Sequence, residues 1–157
     1  MSKTTLRLTE TKASFKIHTE STLLNETITL ATDCLDSNRE ALAGGSNVPK
    51  ANIIAMWWAG APDVIITIKR NNVTIATLHA DSPGTFDFED VHFVDNIENT
   101  SDIVVTTTGT GAAQLYITVR KIAGYLTKIE TPAYGSYDDE TVIGAVTNIS
   151  GSPDYIP

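Results

Sequence analysis

The strongest constraint on the fold is the stretch from Asp63 to Lys121, which contains two strand–turn–strand patterns. The first is VIITIKR-NN-VTIATLH, at 64–79, and the second is DIVVTTT-GTG-AAQLYITVRK, at 102–121. In both patterns apolar and polar residues alternate with the period of two that is typical of a half-buried strand. The alternation therefore predicts an antiparallel β-sheet in which one row of each strand faces a core.

The turn residues predict a register for each pattern. Asparagine tolerates positive φ, so a two-residue loop at Asn71-Asn72 fits a type I′ hairpin. This hairpin is expected to have three core pairs: Ile68–Ile75, Ile66–Thr77 and Val64–His79. The glycine-containing loop at 109–111 predicts a second hairpin with two core pairs: Val105–Leu115 and Ile103–Ile117. A slip of one residue would exchange the two faces of a strand.

The rest of the N-terminal 125 residues also favours strands. Alternation predicts strands at 4–9, 14–19 and 22–31, and ANIIAMWWA at 51–59 predicts an apolar strand. The segment 85–95 fits a strand or an acidic loop. A helical turn is compatible only with 33–43, which Gly44-Gly45 would end, and this segment is also compatible with a loop. The prediction is an all-β protein, an antiparallel and jelly-roll-like β-sandwich at 1–125.

The character of the sequence changes at Leu126. Prolines and glycines recur up to Pro157, so no long regular element is expected there. A disordered tail is one interpretation, and an extended C-terminal arm at 126–157 that packs over a neighbour is the other. Recurring apolar residues favour the arm, because pure linkers lack them. They are Val142, Ile143, Val146, Ile149 and Ile156.

Charge argues against one class of partner, and the lack of long apolar runs argues against another. The formal net charge is −8, and no Lys or Arg interrupts the seven acids between 81 and 102. Because phosphate binding needs clustered cations, no nucleic-acid partner is expected. The acidic run is interpreted as a solvated face, with a basic partner or a divalent cation as alternatives. No apolar run approaches 18 residues, and no signal peptide is visible, so no membrane association is expected.

The sequence contains no recognisable catalytic or cofactor motif. Cys34 is the single cysteine, so no disulfide within the chain can form, and it is expected to be a small core residue. His18, His79 and His92 lack metal-ligand spacing. GTGAA at 109–113 lacks the helix that should follow a phosphate-binding loop. The sequence therefore predicts no enzyme, no cofactor and no metal site.

The candidate functional residues are contact residues. Trp57 and Trp58 are adjacent on a predicted strand and should point to opposite faces. One is expected in the core, while the other faces a neighbouring chain or serves as a stacking platform for a sugar. Aromatic residues dominate binding hot spots, which gives a predicted partner-binding set. The set is Trp57, Trp58, Tyr134, Tyr137, Tyr155 and Ile156.

Three segments carry a family resemblance. They read WWAGAPDVIITIKRNN, VTIATLHADSPGTFDF and NTSDIVVTTTGTGAAQLYITVRKIAGY. Together, from about Ile53 to Tyr125, they resemble small virion proteins of tailed bacteriophages, including marine and cyanobacterial types. The resemblance covers about half of the chain. It implies a β-sandwich located in the virion and no catalytic residues.

The function implied by this resemblance is structural. The expectation is a capsid decoration (cement) protein that contacts the major capsid protein or other virion proteins. It should be a homo-oligomer, with a trimer favoured, because arms, exposed strand edges and repetition convert modest contacts into avidity. A neck or tail protein is the alternative within this class. A carbohydrate- or receptor-binding β-sandwich module is the alternative outside it.

Overall fold

The described part of the protein is built from β-strands. A computed structural model describes residues 2–21, 23–36, 39–41, 48–88 and 99–127, and within them it has eleven strands and no helix. These residues belong to one compact unit, Met1–Thr127. The strands are β1 (Ser2–Leu8), β2 (Lys12–Thr19), β3 (Asn25–Ile28), β4 (Arg39–Ala41), β5 (Lys50–Gly60), β6 (Ile65–Arg70), β7 (Val73–His79), β8 (Gly84–Asp87), β9 (Ile103–Thr108), β10 (Ala113–Ala123) and β11 (Tyr125–Thr127).

Eight of these strands form four nested antiparallel pairs. The innermost pair is the β6–β7 hairpin, and successively outside it β5 pairs with β8, β3 with β9, and β2 with β10. The four pairs together form one long antiparallel ribbon. This ribbon folds over on itself, which brings β10 beside β5 and β9 beside β6. The result is one sheet in the order β1-β2-β10-β5-β8 and a second in the order β3-β9-β6-β7. β4 and β11 form a separate two-stranded ribbon.

Nested pairing of this kind defines a jelly roll, a sandwich of two antiparallel sheets. The predicted jelly-roll-like β-sandwich is therefore confirmed. β1 extends the larger sheet as an extra edge strand beside β2.

The inner rows of the two sheets form one hydrophobic core. Alternate residues of β2 and β10 are buried, as the period of two predicts. Phe15 and Ile117 are Cα partners in the larger sheet, and Ile68 and Val105 are partners in the smaller one. Cys34 is also fully buried in this core, as expected. Full burial of each large apolar side chain contributes about 1.5–3 kcal/mol to stability.

The first hairpin has the predicted turn but a different register beyond it. Asn71 and Asn72 have φ values of 46° and 62°, as a type I′ turn requires. An irregularity follows the Lys69–Thr74 pair, so Ile68 lies opposite Ala76 rather than Ile75. The other two predicted core pairs are wrong for the same reason, and Leu78 faces the core in place of Thr77 and His79. A bulge adds one residue to one strand, and local alternation does not reveal it.

The second hairpin prediction is wrong. β9 pairs with β3 and β6, whereas β10 pairs with β2 and β5, so the loop at 109–111 crosses from one sheet to the other. Gly109 and Gly111 have positive φ and let the chain change direction there. The predicted inward rows are nevertheless buried, because they face each other across the sandwich. These residues are Ile103, Val105, Leu115, Ile117 and Val119.

Other boundaries also differ from the predictions. The segment 33–43 contains no described helix: a turn covers 30–34 and β4 begins at Arg39. The strand predicted at 22–31 is restricted to β3. Within 85–95, β8 ends at Asp87, and 89–95 lies outside the described residues. β11 covers Tyr125–Thr127, and 128–157 of the predicted arm lies outside the described residues, so the arm stays a prediction.

Candidate functional site

The candidate site lies on the solvent side of the larger sheet, which we call the outer face. Its outward residues are those between the buried positions of β2, β10 and β5. The registers align Lys16, Tyr116, Trp57 and Thr85 in one line across four strands. These residues come from four separate parts of the sequence, and the jelly roll brings them together.

An aromatic ridge, defined as Trp57 and Tyr116, stands at the centre of the outer face. Their ring centroids are 5.1 Å apart with an interplanar angle of 64°, an edge-to-face contact. Trp57 is 38% exposed. The Lys16 Nζ lies 5.8 Å from the centroid of the Tyr116 ring, within the range of a cation–π interaction. The ridge is thus held in place by its neighbours and still presents an exposed indole.

Two surface grooves flank the aromatic ridge. The first groove has a volume of about 220 Å³, and His18, Ala59 and Gln114 are among the residues that line it. The second has a volume of about 210 Å³, and its lining includes Trp57 and Tyr116 with Ala55, Thr85, Asp87 and Thr118. The Thr118 and Ser14 hydroxyl oxygens are 2.9 Å apart and share a hydrogen bond. Both grooves therefore combine small side chains with hydrogen-bonding groups.

The outer face differs in charge from the protein as a whole. Register places four cationic side chains on it, Arg7, Lys12, Lys16 and Arg120, against one strand carboxylate, Asp87. Lys12 and Arg120 are direct cross-strand partners. The complete chain has a net charge of −8. The strand residues of the outer face thus carry more cationic than carboxylate side chains, while the carboxylate of Glu20 lines the first groove.

Trp58 points the opposite way and belongs to the core. Only 8% of it is exposed, and its Nε1–H donates to the carbonyl oxygens of His79 and Ser82 at 3.1 and 2.9 Å. Its ring lies 5.1 Å from that of Phe86. The structure thus places one tryptophan inside and one outside, as alternation predicts, and only Trp57 presents surface to a partner. The remaining predicted contact residues, Tyr134, Tyr137, Tyr155 and Ile156, lie outside the described residues.

A polar cluster near β11, apart from the outer face, has structural roles. The Lys121 Nζ donates to Asp36 at 3.0 Å and lies 5.3 Å from the centroid of the Tyr125 ring. The Tyr125 hydroxyl donates to the carbonyl oxygen of Leu30 at 3.1 Å. Burial raises the pKa of the Cys34 thiol to about 11, and a hydrogen bond with Tyr125 opposes this only in part. A thiol with such a pKa stays protonated at neutral pH and is a poor nucleophile.

Alkaline pH is expected to destabilise the protein through this cluster. Burial, followed by the neighbouring Cys34, also raises the pKa of Tyr125 above its ordinary value of 10.0. Because both groups release their protons more readily when unfolded, the stability present below pH 9 is lost as the pH rises through about 11. For Cys34 the loss is on the order of 2 kcal/mol. Melting temperatures recorded between pH 7 and pH 11 measure it.

Cys34→Ala and Tyr125→Phe are the controls for this pH dependence. Each removes one titrating group, so each variant should show a shallower fall in melting temperature above pH 9. If both variants retain the slope of the unsubstituted protein, other groups cause the alkaline loss.

No metal or membrane feature emerges from the described residues. They contain no group of three or more His, Cys, Asp or Glu side chains placed to hold a metal ion. In the same part of the chain, no helix has the length and apolar character needed to cross a bilayer.

The described residues thus fold as an antiparallel jelly-roll β-sandwich. No protein-family model matches the chain, and a search of curated proteins finds no match either. The fold and the outer face are therefore the features of this protein that bear on its function.

Sequence reasoning found Trp57 but missed the residues around it. Tyr116, Lys16 and Thr85 join Trp57 only through strand pairing between distant segments. Alternation alone would have marked Lys16 and Tyr116 as outward residues. It contains no signal that makes them neighbours.

Proposed function

We propose that this chain is a structural protein of a phage virion, a capsid decoration (cement) protein without a catalytic role. The observation that carries the proposal is the jelly-roll order of the two sheets. This architecture is used by viral capsid proteins and by lectins. Because a fold does not determine a function, the proposal also depends on the resemblance of residues 53–125 to virion proteins of tailed phages.

The surface of the described domain supports a docking role. The outer face offers an exposed tryptophan and clustered positive charge, which are features of protein contacts that steer and anchor a partner. The proposed partner is the major capsid protein or another virion protein. A closed homo-oligomer, with a trimer favoured, would repeat each contact, and repetition multiplies a modest affinity.

Light scattering and co-sedimentation test this proposal. We expect the purified full-length chain to have the mass of a trimer and to sediment with the heads of tailed phages. Antibody labelling of intact virions should then cover the head surface, whereas labelling at one vertex or along the tail would show a neck or tail component. A monomer that sediments with no virion part would contradict the proposal.

A carbohydrate- or receptor-binding module is the second candidate function. The observation that favours it is the exposure of Trp57 beside a groove with hydrogen-bonding side chains. A sugar platform requires such an exposed aromatic ring. Binding to a glycan array by a chain that ignores phage heads would favour this candidate over the first.

A further inference from the structure

We propose that the outer face binds a neutral linear glycan, a polymer of uncharged pyranoses linked through equatorial positions, across the aromatic ridge. The inference rests on the second candidate function, for which it names the ligand class and the residues. It is independent of a place in the virion, because a decoration protein and a free module can both present this face.

The indole of Trp57 supplies the apolar part of the proposed site. It is 38% exposed, and its edge-to-face contact with Tyr116, at 5.1 Å between ring centroids, fixes its orientation. A pyranose with equatorial hydroxyls has only C–H groups on its ring faces, so one face can pack flat on the indole. Both partners then remove apolar surface from water, which is favourable. Because the ring is already held in place, little conformational freedom is lost on binding.

The arrangement of groove, ridge and groove suits a linear polymer. The outward residues of β5 include Ala55, Trp57 and Ala59, so a small side chain stands on each side of the indole. On β10, Gln114 is the partner of Ala59 in the first groove, and Thr118 is the partner of Ala55 in the second. Four residues of a strand span about 13 Å, so one extended chain can enter both grooves and cross the ridge midway. The amide and the hydroxyl offer donors and acceptors to sugar hydroxyls.

Carboxylates in both grooves favour a neutral ligand over an acidic one. Glu20 lines the first groove and Asp87 the second. Each would repel an anionic sugar, whereas a carboxylate accepts strong hydrogen bonds from uncharged hydroxyls. Asp87 also interacts within the chain, but a carboxylate has about four acceptor positions and can accept further bonds. Lys12 and Arg120 are likewise engaged within the chain, so they do not call for an anionic ligand.

Two other polymer classes fit the outer face less well. An extended peptide gains affinity by pairing with a free strand edge, whereas the ridge lies on β10 and β5, which are paired on both sides. A nucleic acid needs a continuous track of cations along its phosphates. The two groove carboxylates, Glu20 and Asp87, interrupt any such track.

Calorimetric titration of the full-length chain with cellohexaose tests the inference. We expect saturable binding that added salt leaves unchanged, because the ligand carries no charge. Trp57→Ala should weaken it by about tenfold, while Trp57→Tyr retains most of the affinity. Asp87→Asn should weaken it several-fold and also reduce the preference for cellohexaose over hexagalacturonate. Its matched control is Asp81→Asn, an equal charge change at an exposed position outside both grooves, which should have no effect. Thermal melting followed by circular dichroism verifies that each variant is folded.

Several outcomes would overturn the inference. Absence of binding to both cellohexaose and xylohexaose at millimolar concentration, or equal binding by a folded Trp57→Ala variant, would remove the ridge as a site for neutral glycans. Tighter, Trp57-dependent binding of hexagalacturonate would refute the neutral class and leave the second candidate function in place. Trp57-dependent binding of a twelve-residue oligothymidylate, with no glycan bound, would identify a nucleic-acid surface instead. None of these results depends on phage heads, so failure here and failure of the virion proposal are distinguishable.

Discussion

Replacing Trp58 by alanine is expected to lower the free energy of unfolding by about 3–5 kcal/mol. The indole is 8% exposed and packs in the core against Phe86. Its Nε1–H is shared by two carbonyl oxygens, of His79 and Ser82, which would both lose this donor. The backbone of Gly84 lies so close to the indole ring that a Cβ at this position would clash with it, so removing the ring leaves a space beside Gly84. Urea denaturation followed by circular dichroism measures the loss.

The neighbouring tryptophan provides a matched control. Trp57→Ala removes a side chain of the same size from an exposed position, so we expect a loss of about 1 kcal/mol, the value of its edge-to-face contact with Tyr116. Similar losses for the two variants would contradict the assignment of Trp58 to the core and of Trp57 to the surface.

Arg70→Ala is the second change for which a large loss is expected, about 3–5 kcal/mol. Arg70 continues the inward row of β6 after Ile66 and Ile68, and it is fully buried. Its Nη2 donates to the carbonyl oxygen of Ala51 at 2.6 Å and so ties the smaller sheet to β5. Alanine would leave both a cavity and a buried carbonyl without this donor. The same urea titration measures the effect.

Arg70→Met separates the two contributions. Methionine fills much of the space without donating a hydrogen bond, so a loss of about 1–3 kcal/mol is expected. Lys69→Ala, at the adjacent half-buried position, should change stability by no more than about 0.5 kcal/mol. If Arg70→Met is more stable than the unsubstituted protein, the buried guanidinium is a net cost, and the tie to Ala51 does not stabilise the sandwich.

Local alternation predicted which side of each strand is buried better than it predicted strand partners. Val105 and Leu115 are both inward, as expected, yet they belong to different sheets. A loop with two glycines suits a hairpin and a crossover equally, and the inward rows are the same in both. Pairing between strands depends on contacts across the whole chain, which period-two patterns do not encode.

The candidate site shows the same division between local and long-range information. The opposite orientations of Trp57 and Trp58 follow from adjacency on a strand, so they were predictable. The ridge, the grooves and the concentration of cations depend on β10 lying between β2 and β5. That arrangement follows from the wrapping of the ribbon, and no single segment of the sequence specifies it.

The central place of β10 in the larger sheet has a consequence for synthesis on the ribosome. β2 ends at Thr19, but its partner β10 begins only at Ala113. At a synthesis rate of 5–20 residues per second, β10 therefore emerges about 5–20 s after β2. Until then β2 and β5 lack the strand that joins them, and their apolar rows have no completed core. Long-range pairing of this kind slows folding. The larger sheet is therefore completed late, and a nascent chain that stops before Ala113 exposes aggregation-prone strand edges.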